Sequence, residues 1–168
     1  TINNYLKILF EKKLTIRAIR NSVFYGVIAA TFAVILGAIA SYISSRGHFK
    51  AKKLVEFSAS WPMAVPPTVM AVAAIFAWIN PPFKLYNTPW IIIVTYIAVC
   101  LPFVVRNVSG LLQNLDPELE KMARISGASH LQTFRDITIP LIKPGLKTGW
   151  ILSFLFALRE IPISVMLY

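Results

Sequence analysis

Acidic residues are scarce in this 168-residue chain: seven Asp and Glu stand against seventeen Lys and Arg, for a net charge of +10. Cysteine occurs once, as Cys100 within an apolar stretch, so no disulfide framework can form. The two histidines, His48 and His130, stand far apart with no Cys or His at ligand spacing, which argues against a structural metal site. The seven glycines include no pair five positions apart, so the phosphate-cradling G-x-x-x-x-G-K-[ST] loop is missing. Charge itself is lacking over long intervals. Residues 21–45, 57–83 and 85–105, which are 25, 27 and 21 residues long, contain no Asp, Glu, Lys, Arg or His. A helix needs about 20 apolar residues to cross a hydrocarbon core of about 30 Å. The expected fold class is therefore all-α, a polytopic transmembrane bundle of about four spanning helices.

The basic residues fall in the gaps between apolar runs, where membrane loops carry them, and this placement argues against nucleic-acid binding. Residues 1–20 form an amphipathic, basic lead-in with Lys7, Lys12, Lys13, Arg17 and Arg20 among apolar side chains. The first span is expected at 22–45, with Gly26 and Gly37 as close-contact points between helices. The second, 54–79, carries Pro62, Pro66 and Pro67 in mid-span, so its helix must kink or break. Such a bend is either an ordinary kink packed on its neighbours or the lining of a cavity, with Pro66 and Pro67 as path residues. A proline-rich connector leads to a third span at 90–105. The fourth apolar run follows Pro140 and meets Arg159 and Glu160 at its far end. Leaving out Arg159, Lys and Arg number six on one side of this layout and ten on the other. The polar segment 106–140 is therefore expected in the cytoplasm. With no initiator Met and an apolar last stretch, the sequence reads as one transmembrane module, 1–168, excerpted from a longer membrane protein.

That polar segment has helix signals of its own. Asp116 and Pro117 read as an N-cap and first helical residue, and Leu119, Met122 and Ala123 make an apolar stripe. Gly127 reads as a C-terminal cap, and Ser129 with Gln132 as the capping box of a second short helix that Pro140 ends. Two short helices joined at a glycine turn suit either a lipid-surface hairpin or a knob that docks into a partner.

From Lys121, Met122 and Ala123 through Gly127 to Ile137 and Pro140, the segment resembles the EAA loop of binding-protein-dependent ABC importer permeases. That pattern is E-A-A, three residues, G, nine residues, then I-x-L-P. Lys121 replaces its Glu, although Glu120 adjoins; Met122 replaces the first Ala, and Ile139 the Leu. Leu115 to Pro117, Leu141 to Gly145 and Leu158 to Pro162 are similar to the ferric-iron-type branch. The resemblance implies ATPase coupling through Glu120, Lys121, Met122, Ala123, Gly127, Ile137 and Pro140. It also implies a dimeric cytoplasmic ABC ATPase, a periplasmic solute-binding protein, a second permease half and a bacterial inner membrane. No cofactor and no catalytic residue are expected in this chain.

Two other classes compete. An ATP-independent channel or secondary transporter is one, and a co-purifying ATPase subunit would instead support the importer. An intramembrane enzyme would need a nucleophile, base or metal cluster at membrane depth, and Cys100 has no His within its span. Arg159 and Glu160 are placed inside the membrane by their distance from Lys147. They are expected either to make structural contacts or to line the translocation path.

Overall fold

The computed structural model describes residues 13–47 and 52–168, and the regular elements in them are helices. They are α1 (Lys13–Arg46), α2 (Lys52–Ser60), a 3-10 turn (Trp61–Ala64), α3 (Pro67–Trp78) and α4 (Pro89–Asn114). There follow α5 (Pro117–Ile125), α6 (His130–Thr133), a π turn (Phe134–Thr138), α7 (Ile139–Arg159) and α8 (Ile161–Leu167). Three stretches are long and apolar enough to span a membrane, Lys13–Arg46, Pro89–Asn114 and His130–Arg159. The chain is an all-α, multi-pass membrane protein.

α1, α4 and α7 pack on one another as the centre of the bundle. Their contacts fix the directions. Ser41 Oγ donates to the Val105 carbonyl at 3.3 Å and Arg46 Nη2 to that of Leu115 at 2.9 Å, so α1 and α4 run parallel. Tyr96 meets Glu160, Cys100 meets Ser153, and Gly145 lies against Asn107, so α7 runs antiparallel to α4. α1 and α4 begin at one end of the bundle and finish at the other, so the chain between them must climb back. It does so through α2 and α3, which together pass as a span but are bent by 115° at their break. The expected second span is thus broken at Val65 and Pro66 rather than merely kinked. Pro66 has extended backbone, φ −56° and ψ 140°, and Pro67 opens the new helix, whose first turn needs no donor from it. At 12 residues α3 reaches only about 18 Å and cannot cross alone.

Small side chains make the close packing possible. The buried face of α1 is Gly26, Ala29, Ala30, Ala33, Gly37 and Ser41. On α7 the buried residues Gly145, Gly149, Ser153 and Ala157 recur every fourth position. Bulky residues such as Phe32, Ile35, Leu152 and Leu155 point outward instead. Without a hydrophobic drive between helices in lipid, this arrangement gains its stability from close van der Waals contact and a few interhelical hydrogen bonds. The contact roles expected for Gly26 and Gly37 are both seen: a Cβ at either would meet Phe154 or Val104 within 3.3 Å.

Two expected boundaries are corrected. The third span does not stop at 105, because α4 continues to Asn114 with Val108, Ser109 and Leu112 buried against the bundle. Polar residues return there while the helix does not end. Nor does Pro140 end the second short helix. The Ile139 N–H bonds to the Phe134 carbonyl, a five-residue π step just before the proline. The widened turn gives the ring room where a regular turn would clash, and the helix runs on into α7. The basic lead-in is described only from Lys13, where it is already the first turns of α1; Lys7 and Lys12 lie outside the described residues.

Candidate functional site

The hairpin of α5 and α6 projects from the end of the bundle where α1 and α4 finish. Asp116 caps α5, accepting from the Glu118 N–H at 2.9 Å. The far end closes as a Schellman turn. Ala128 N–H reaches the Ala123 carbonyl and Gly127 N–H the Arg124 carbonyl, both at 3.1 Å, with Gly127 at φ +93°. Ser129 and Gln132 form the reciprocal capping box that starts α6, at 3.2 and 2.8 Å. The local code read from the sequence is therefore the local structure.

Nothing lies within 4 Å of a Cβ built on Gly127, so only its positive φ demands glycine. Gly127→Val is expected to cost about 1–2 kcal/mol at the turn. Hydrogen exchange measures it: the amides of Gly127 and Ala128 should lose about tenfold in protection while those of α4 keep theirs. Unchanged protection at the turn would show that the hairpin does not depend on this geometry.

The expected coupling residues divide between two faces. Met122 is 64% exposed and Lys121 is also exposed, whereas Ala123 is half-buried. The apolar crest is instead completed by Ile125 at 85% and Leu131 at 74% exposure. Sequence spacing carried a signal for Ile125, three residues after Met122, but not for Leu131 across the turn. On the opposite face Glu120 turns toward the bundle. Its Oε1 accepts from Thr138 Oγ1 at 2.9 Å and lies 3.5 Å from Arg46 Nε. Ile137 sits half-buried in the π turn, and Pro140 is exposed in the first turn of α7.

At the other end of the bundle, α7 breaks at Glu160. Glu160 is 9% exposed and caps α8, its Oε1 accepting from the Ile163 N–H at 3.3 Å. Its carbonyl accepts from the hydroxyls of Tyr96 and Ser164, both at 3.0 Å. Glu160 borders a cavity of about 540 Å³ shared with Arg17, Asn21, Tyr25 and Tyr96. Arg159, by contrast, is exposed and outside that lining, and no ion pair joins it to Glu160 among the described residues. Pro66 and Pro67 also lie outside it. Of the four expected path residues, the structure places only Glu160 on this cavity.

Residues 33–168 match the family model described as binding-protein-dependent transport system inner membrane component. The chain is 34% identical over 167 residues to the trehalose transport system permease protein SugB of Mycobacterium tuberculosis, covering 99% of this chain and 60% of that protein. It is 28% identical to the spermidine/putrescine permease PotC of Escherichia coli, covering 95% of this chain and 60% of PotC. It is 33% identical to the ferric transport permease FbpB of Actinobacillus pleuropneumoniae, covering 99% of this chain and 25% of that protein. The chain thus spans about 60% of the length of the first two of these curated relatives. With the family model covering most of its length, the chain belongs to the inner membrane components of binding-protein-dependent transport systems.

Proposed function

We propose that the chain forms half of the solute path of an ATP-driven importer in a bacterial inner membrane. In this reading a separate cytoplasmic ABC ATPase dimer docks on the α5–α6 hairpin. A periplasmic binding protein delivers solute to the opposite end, and a second permease half completes the path. The observation that carries the reading is the hairpin itself. It is capped at each helix start, closed by Gly127, fixed on its inner face by Glu120, and bare on its outer face at Met122, Ile125 and Leu131. A rigid projection with an unpartnered apolar crest is the form of a helix-in-groove anchor. ATP chemistry belongs to the partner in this scheme.

Glu160 is the path residue this reading favours, through the cavity it borders. The solute is not selected by similarity, since relatives named for trehalose and for ferric transport match about equally, at 34% and 33% identity. Resemblance to the ferric-iron-type branch therefore makes ferric iron one solute to screen beside trehalose and spermidine.

Ile125→Glu and Met122→Glu test the docking surface without touching the core. Both should retain the ATPase on purification at least about tenfold less well than the unsubstituted chain, the scale of an interface anchor. Membrane insertion should be unchanged. Full retention by both variants, with solute accumulation indifferent to ATP, would favour a channel or secondary transporter and defeat the importer reading.

A further inference from the structure

The last turns of α1 hold the hairpin from the side. Arg46 Nη2 donates to the Leu115 carbonyl at 2.9 Å, at the junction before α5, while its Nε faces Glu120 Oε1 at 3.5 Å on α5 itself. Thr138 Oγ1 donates to the same Glu120 oxygen at 2.9 Å, which ties α5 to the π turn that begins the long helix of α7. One turn earlier on α1, Tyr42 packs edge-on against Phe134 of that π turn, with ring centroids 4.8 Å apart. A further link leads away from the hairpin: Ser44 Oγ donates to Glu56 Oε2 at 3.0 Å, joining α1 to α2 of the broken span.

The connectivity gives this cluster its meaning. The hairpin is continuous with α4 on one side and α7 on the other, so a push on its crest reaches those helices through the backbone. α1 has no such connection, because Arg46 and Leu115 are 69 residues apart in the chain. A displacement reaches α1 only through side chains, and Arg46 with Glu120 is the charged pair among them. Both side chains are 15% exposed, so water and salt screen their attraction little. The pair also has room to tighten. Arg46 Nε is buried without a hydrogen-bond partner, and closing its gap to Glu120 by about half an ångström would complete the bond. A buried donor so close to its acceptor favours any hairpin position that satisfies it.

We infer that Arg46 and Glu120 form a clasp that passes movement of the hairpin to α1, and through Ser44 and Glu56 to the broken span. Arg46 is thereby a positioning residue for coupling. This rests on the reading of the hairpin as the ATPase docking element. It adds the route by which α1 and α2, neither adjoining the hairpin in the chain, follow it.

The test uses the complete transporter, with its ATPase, in proteoliposomes and a Cys100→Ser background. Single cysteines replace Ser22 on α1 or Leu158 on α7, which border the same cavity at the far end. An impermeant maleimide reports their accessibility with and without ATP and vanadate. In the unsubstituted clasp both positions should change labelling rate between the two states. Arg46→Gln should abolish the change at position 22, keep it at position 158, and leave ATPase retention intact, and Glu120→Gln should likewise abolish the change at position 22 while that at position 158 persists. Combining the two should add nothing to the loss at position 22 beyond Arg46→Gln alone, since that variant already removes the Glu120 contact together with the Leu115 bond. Arg46→Lys keeps the charge but lacks the fork that reaches Leu115 and Glu120 together, and should give a partial loss at position 22. It carries the test if the glutamine variants fail to assemble. A nucleotide-dependent change at position 22 that survives in these variants overturns the clasp. Parallel loss at both positions, with loss of ATPase retention, also overturns it, because that is the mark of a purely structural contact. Failure of the importer reading looks different: neither position would respond to nucleotide even with Arg46 and Glu120 in place.

Discussion

Gly149→Leu should destabilise the bundle by about 3 kcal/mol, the upper part of the range for forcing side-chain volume into a packed core. A Cβ at Gly149 would lie 3.1 Å from Val104 Cα, a backbone atom that no rotamer change can move aside. The same residue is gripped from the other side, since a Cβ at Gly37 would meet Val104 Cβ and Cγ1 at 2.7 Å. Val104 is fully buried, so α4 has nowhere to retreat from either intrusion. Leucine adds three more carbons beyond that Cβ, and the α4–α7 crossing must open to admit them. The hydrogen bonds that Cys100 and Ser153 exchange with each other's carbonyls, at 3.4 and 3.5 Å, would then be drawn apart as well. Gly110→Leu is the matched control. It sits on the exposed side of α4 with nothing within 4 Å, and leaving glycine there should add up to about 1 kcal/mol through helix propensity. The apparent melting temperature of the detergent-purified protein separates the two, falling for position 149 and holding or rising for position 110. Equal melting temperatures would show that the close approach at Val104 does not hold the bundle together.

Features that follow from local chemistry could be read from the sequence, and those that need two distant segments could not. Charge-free runs marked α1, α4 and the broken span because water and lipid sort side chains by polarity alone, whereas α7, interrupted by Lys143 and Lys147, was read from the apolar run after Pro140. The hairpin was legible in detail, since Asp116, Gly127, Ser129 and Gln132 each act on backbone groups within four residues. Gly26 and Gly37 stood out as small residues in an apolar span. The four-residue recurrence of Gly145, Gly149, Ser153 and Ala157 carries the same signal, but it is split by Lys147 and Trp150, which point elsewhere. Pro140 misled for a physical reason: proline does end regular helices, but a π step can absorb it. The Arg46–Glu120 contact had no local trace, joining residues with most of the bundle between them in the chain. Glu160 was legible as an anomaly, a carboxylate at the far end of an apolar run, but not as the cap of a new helix. Its neighbour Arg159 carried the same anomaly and turned out to face away from the cavity.

The same structure sets the two charges at positions 159 and 160 apart by experiment. Glu160→Gln keeps an oxygen that can accept from the Ile163 N–H, so the start of α8 should survive and only the negative charge is lost from the cavity wall. Its carbonyl contacts with Tyr96 and Ser164 are backbone and unaffected. If the carboxylate serves the path, uptake of the solute should fall about tenfold or more. That corresponds to a barrier higher by about 1.4 kcal/mol. ATPase retention and melting temperature should stay put. Glu160→Ala removes charge and cap together, adding a destabilisation of about 1 kcal/mol that shows in melting temperature. Arg159→Gln, on the exposed side of the last turn of α7, should leave uptake within about twofold of the unsubstituted chain, as surface changes do. Full uptake by Glu160→Gln together with a lowered melting temperature for Glu160→Ala would make Glu160 a helix cap and nothing more. The path would then have to be sought elsewhere, with the break at Val65 and Pro66 the next stretch of irregular backbone within the apolar run.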